Sequence, residues 1–134
     1  VLVAGIAPAW FNVIDLDAVA DAADRPVIAV AFEDSEGLES ALEEHFSGDA
    51  LEQRLETYRA LPPRERLAIG DTELWVRTVG IDTTEAADVL RTFWAEGSSR
   101  PEPLRVAKAA ARAGRQQAER FGWAGDPAEE SDDN

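Results

Sequence analysis

Between Arg100 and Arg120, six basic residues (Arg100, Arg105, Lys108, Arg112, Arg115 and Arg120) stand against two acidic ones, Glu102 and Glu119. Arg105, Lys108, Arg112 and Arg115 fall at i, i+3, i+7 and i+10, which places all four on one face of a helix. Such a row can follow a nucleic-acid backbone, because the arginine fork donates paired hydrogen bonds to phosphate. Each neutralised phosphate would also release counterions and appear in the salt dependence of binding. No aromatic residue interleaves with the row to stack bases, so a solvated face that balances an acidic surface accounts for the spacing equally. A second group is polar and acidic. Asn12 and Asp15 follow the first strand, at the edge where α/β sheets present ligands, and Glu102 opens the last helix. Together they form a candidate pocket in which Asp15 is placed to meet a polar ligand, set against simpler roles: Asp15 as a helix cap and Glu102 at the positive end of a helix. The single His45 sits near a helix end and has no visible catalytic partner. No residue is assigned as catalytic and none as a metal ligand.

These groups need elements to hold them. Val1 to Gly5 and Val27 to Phe32 are nearly continuous apolar runs, the pattern of strands buried on both faces in a parallel pair. Leu16, Val19, Ala20 and Ala23 repeat at helical spacing between them, which makes a βαβ unit capped by Asp15 or Asp17. Ser35 is expected to cap a helix carrying Leu38, Ala41, Leu42 and Phe46. Asp49 and Glu52 have capping-box spacing for the next helix. The turn Gly70-Asp71-Thr72 joins Arg66–Ile69 to Glu73–Val79 as a hairpin. Asp82-Thr83-Thr84-Glu85 reads as a capping box for a helix burying Ala86, Val89, Leu90, Phe93 and Trp94. The last helix starts near Pro103 and carries a stripe of Leu104, Ala107, Ala111, Gly114, Ala118 and Phe121. The fold class is α/β: a mixed sheet with central parallel strands, a late β-hairpin and about five helices. One domain spans residues 1–121, and 122–134 is expected to be an acidic disordered tail, being too poor in apolar residues to offset its ordering entropy.

The 134 residues include 27 acidic and 13 basic side chains, for a net charge of −14, and Lys108 is the sole lysine. High salt shortens the reach of exposed charges to roughly 3 Å at 1 M, so this surface suits a salt-rich cytoplasm and a haloarchaeal source. Without cysteine, disulfides, zinc ribbons and thiol nucleophiles are excluded. No apolar run approaches the ~18 residues of a membrane span, and no signal-peptide pattern opens the chain. The expectation is a cytoplasmic protein without a membrane partner. Val1 already lies in an apolar run and the chain has no methionine, so a preceding segment is expected.

Val3-Ala4-Gly5-Ile6, Trp10-Phe11-Asn12-Val13-Ile14-Asp15 and Arg100-Pro101-Glu102-Pro103-Leu104-Arg105 resemble the archaeal family called domain of unknown function 99. That family is similar to endonuclease V, a ribonuclease H-like nuclease. The resemblance spans residues 1–121 and implies the C-terminal two-thirds of such a domain, with a three-stranded segment and further acidic ligands upstream. Family members read Leu-Asp-Gly-Ile at the first motif, so Ala4 stands where the resemblance implies a metal-holding aspartate. The Ser-Pro-Gly-His motif of endonuclease V has no counterpart at Leu74–Ile81. The resemblance therefore implies a degenerate nuclease fold without cleavage, and the row from Arg105 to Arg115 adds nucleic-acid binding to that expectation. Two alternatives accompany it: a Mg²⁺- or Mn²⁺-dependent nuclease completed by upstream carboxylates, and a structural protein that forms a homodimer to cover exposed sheet edges.

Overall fold

The computed structural model describes residues 1–8 and 11–123. Its elements are β1 (Leu2–Ala4), α1 (Leu16–Ala23), β2 (Val27–Ala31), α2 (Glu39–His45), α3 (Gly48–Arg59), β3 (Glu65–Ile69), β4 (Thr72–Val79), α4 (Thr83–Thr92) and α5 (Glu102–Phe121). The strands form one sheet in the order β1-β2-β4-β3. β1 lies parallel to β2, with Leu2 opposite Ile28 and Ala4 opposite Val30. β4 runs antiparallel to β2 on one side and to β3 on the other. The mixed sheet, its parallel pair, the late hairpin and the helices are those the sequence predicts.

β2 shows why the layers form. Val27, Ile28, Ala29 and Val30 are all buried, because the strand lies inside the sheet with a helical layer on each side. Ile28 and Val30 meet Ile69, Leu74 and Val76 beneath Ala86, Ala87 and Leu90 of α4, with Leu104 of α5 at the edge. Val27 and Ala29 point the other way, onto Leu16 of α1, with Ile14, Val19 and Leu61 around them. Fully burying one such side chain stabilises by about 1.5–3 kcal/mol. Leu16, Leu42, Leu74 and Leu90 are all completely enclosed, so the sheet is held from both faces.

Local signals fix the boundaries. Asp15 caps α1 by accepting from the Ala18 N–H at 3.1 Å. Asp82 and Glu85 close a reciprocal capping box at α4: Asp82 accepts from the Glu85 N–H at 2.8 Å, and Glu85 accepts from the Asp82 N–H at 3.4 Å. Gly70, at φ +58°, opens the two-residue hairpin turn, the position at which a II′ turn needs glycine.

Other expectations are corrected. α2 begins at Glu39 with Leu38 in the cap position and no side-chain bond, so Ser35 is not its cap. Gly37 between them adopts φ +107°, a conformation that interrupts a right-handed helix and leaves Ser35 in the preceding loop. Asp49 stands in the first turn of α3 behind Ser47, without a capping bond. Phe93 falls just past the end of α4 and is exposed, as are Ala107, Ala111, Gly114 and Phe121 on the last helix. The acidic tail, beyond Trp123, and Trp10 lie outside the described residues. No helix of the described residues is long and apolar enough to cross a membrane. No described strand pairs with the outer edge of β1.

Candidate functional site

The fold places Glu102 apart from Asp15 of the predicted polar pocket. Asp15 is exposed and occupied as the α1 cap. Asn12 accepts a hydrogen bond from Arg54 of α3 at 3.4 Å. Glu102 binds Arg105 one helical turn away, at 2.8 and 2.5 Å, and this hydrogen bond with its guanidinium holds the Glu102 carboxyl below its ordinary range. α1 and α5 pack on opposite faces of the sheet, so Asp15 and Glu102 do not converge. His45 binds the Ala41 carbonyl through Nδ1 at 2.8 Å and rests against Phe11.

Ala4 is exposed and pairs with Val30, so strand alternation directs its methyl group to the face that carries α4 and α5. The residues beyond it, Gly5, Ile6 and Ala7, offer no side-chain oxygen. Among the described residues no three aspartate, glutamate, histidine or cysteine side chains converge. Magnesium and manganese take oxygen ligands, and the Ala4 methyl group supplies none.

The cationic row lies along the exposed length of α5. α5 is anchored by Leu104, its one buried residue, and from Arg105 to Gln117 every residue is exposed. Lys108, Arg112 and Arg115 make no ion pair among the described residues, whereas Arg105 is joined to Glu102. The intrahelical pair forms because the two side chains lie three residues apart on one face. Beyond the row, Phe121 and Trp123 stack with ring centroids 5.1 Å apart.

A cavity of about 220 Å³ lies at the C-terminal end of the parallel pair, and sequence reasoning missed it. Its backbone wall comes from Gly5, Ile6 and Ala7 after β1 and from Ala29, Val30 and Ala31 of β2. Tyr58 of α3, Arg64, and Trp75 and Arg77 of β4 supply its aromatic and charged wall. The sheet register explains the gathering: Ala31 pairs with Trp75 and Ala29 with Arg77, so both β4 side chains emerge on the α1 side. Arg77 donates to the Pro62 carbonyl at 2.7 Å and lies over the Tyr58 ring. Arg64 lies over Trp75 and donates to Asp34 at 2.8 Å and to the Ser35 carbonyl at 3.0 Å. The Tyr58 hydroxyl accepts from the Leu38 N–H at 3.3 Å. Among the described residues no carboxylate lines the cavity, in a chain whose net charge is −14.

Comparison with known proteins decides the lineage. The family model described as Endonuclease dU matches residues 1–114. The chain belongs to the endonuclease dU family. A UPF0215 protein of Thermococcus kodakarensis is 38% identical over 109 residues, covering 80% of this chain and 53% of the relative. A UPF0215 protein of Pyrococcus furiosus is 34% identical over 115 residues, covering 84% and 57%. This member of the endonuclease dU family thus spans about half the length of the curated relatives it matches. A crystal structure of a protein of unknown function from Archaeoglobus fulgidus superposes with a TM-score of 0.68 at 24% identity, over 84% of this chain and 61% of the other. That likeness establishes a shared fold.

Proposed function

We propose that this chain is a degenerate nuclease-fold domain, ribonuclease H-like and similar to endonuclease V, that binds nucleic acid along α5 and does not cleave it unaided. One observation carries the binding half: Lys108, Arg112 and Arg115 stand in a solvent-facing row without ion-pair partners among the described residues. Phosphate contacts are the main source of sequence-independent affinity, and among the described residues nothing covers the row on α5. The methyl group of Ala4 motivates the second half. The test is fluorescence anisotropy with single- and double-stranded oligonucleotides across a salt series. Replacing Lys108, Arg112 and Arg115 together by glutamine should abolish most binding; unchanged affinity would reduce the row to a solvated face.

The family's name favours a second reading, in which carboxylates from outside this chain complete a Mg²⁺- or Mn²⁺-dependent endonuclease. The fraction of the relatives spanned, 53% for the Thermococcus kodakarensis protein, leaves room for such ligands. Incubating a deoxyuridine-containing oligonucleotide with this chain, and separately with a full-length relative, under either metal separates the two. Cleavage by the relative alone supports both the degenerate state of this chain and the need for outside ligands. Cleavage by this chain sinks the non-cleaving reading. The outer edge of β1, which no described strand covers, would suit strand pairing between two copies, and light scattering reports that homodimer directly.

A further inference from the structure

We propose that the cavity beside Arg77 is a binding site for a compact anion carried on one planar ring, an aryl carboxylate or an aryl phosphate. This site is independent of nucleic-acid binding on α5, because the cavity opens on the α1 side of the sheet and α5 packs on the other.

Three observations select this chemistry. The first is charge. Among the described residues two guanidinium groups and no carboxylate line the cavity, although acidic residues outnumber basic ones 27 to 13 in the chain. Arg77 spends one N–H on the Pro62 carbonyl, and a guanidinium carries five donors in a fixed fork. The remaining donors suit the two parallel hydrogen bonds that a carboxylate or phosphate accepts. Arg64 is less available, since Asp34 and the Ser35 carbonyl already occupy its Nη2. Arg77 therefore reads the anion and Arg64 adds field.

The second observation is shape. Tyr58 and Trp75 present rings, and Ile6, Ala7 and Leu38 complete an apolar wall, so the floor favours a flat body over a hydrated ion. The third is size. At about 220 Å³ the cavity falls below the roughly 300–1,000 Å³ typical of clefts for drug-sized ligands. One ring and one anionic group fit; a dinucleotide does not. The position is also the one favoured by open α/β sheets, beyond the carboxyl ends of parallel strands.

Calorimetry with benzoate, phenyl phosphate and adenosine 5′-monophosphate, with benzamide as the uncharged control, tests the proposal on the chain as it exists. The expected result is binding of at least one anion at least tenfold tighter than benzamide, with a shift of the Trp75 indole resonance. A preference for benzoate identifies a carboxylate site; a preference for either phosphate identifies a phosphoryl site. Arg77→Gln should weaken the preferred anion at least tenfold. Because Arg77 also holds the Pro62 carbonyl, this variant can fail to fold, and Asp34→Asn then decides. Removing the competing carboxylate from Arg64 should tighten anion binding by threefold or more. Benzamide binding as well as the anions, no detectable binding of any of the three anions, a folded Arg77→Gln protein with unchanged affinity, or, if that variant does not fold, an Asp34→Asn protein without gain would each overturn the proposal.

Discussion

Arg77 and Arg112 carry the same guanidinium group in contrasting settings. Arg112 stands on the exposed face of α5, surrounded by water and flanked by Lys108 and Arg115 on a helix that one buried leucine ties to the body. Arg77 is half-buried on β4, over the Tyr58 ring and bonded to the Pro62 carbonyl. Charge on the helix is additive and screened by salt, so it suits a long polyanion met in many registers. Charge in the cavity is positioned by the Pro62 carbonyl and the Tyr58 ring, so it suits one small group held in one orientation. The same residue type thus supports affinity by number in one place and recognition by geometry in the other.

Leu104→Ala strikes the anchor of the cationic helix and should have the largest effect. Loss of a buried leucine costs about 2–5 kcal/mol, read by chemical denaturation. If stability is unchanged, α5 is held by something other than this contact. Next is the triple glutamine variant of Lys108, Arg112 and Arg115. With a slope of about −0.9 per duplex phosphate, the log–log salt dependence should become shallower by roughly 2.7, and affinity near 0.1 M salt should fall on the order of a hundredfold. Binding of a small aryl anion should be untouched, which separates the two regions in one experiment.

Asp82→Ala removes a cap that neither region contacts, and a lost N-cap costs about 1 kcal/mol. Thermal melting should record it while both binding readouts stay constant. The smallest change is at the boundary of the row. Glu102→Gln frees Arg105, and the salt slope for duplex should steepen by up to about 0.9, the value of one added phosphate. Acid should do the same. The Arg105 hydrogen bond lowers the Glu102 pKa in the folded state, so the pair's small contribution to stability is present above the ordinary glutamate range. It is lost as pH falls through the lowered value. An acid titration of the salt slope that shows no change would mean Arg105 is already available to ligand.

Several elements were legible because their signals are local. The apolar run of β2, the Asp82-Thr83-Thr84-Glu85 box and the glycine-led turn before β4 each state a conformation within a few residues. The final helix shows the limit of periodicity. Its stripe of Leu104, Ala107, Ala111, Gly114, Ala118 and Phe121 identifies an apolar side, but spacing cannot say whether another surface covers it, and beyond Leu104 none of the described residues buries it. The cavity was invisible for a different reason. Gly5, Tyr58 and Arg77 share no spacing, and they meet only because β4 pairs with β2 in one register while α3 closes over that face. Asp15 was readable as a cap; that Asn12 would engage Arg54 required the packing of α3.

β2 is apolar on both sides, with odd and even positions committed to different helical layers. A slip of one residue would exchange those commitments along the whole strand, sending Ile28 and Val30 into the space shaped for Val27 and Ala29. The strand therefore works as a two-sided key: it reads the fit of each layer separately and turns only when both are right. That double check sets the alignment of Ala29 with Arg77, so the accuracy of an arginine at the rim is inherited from methyl groups at the centre.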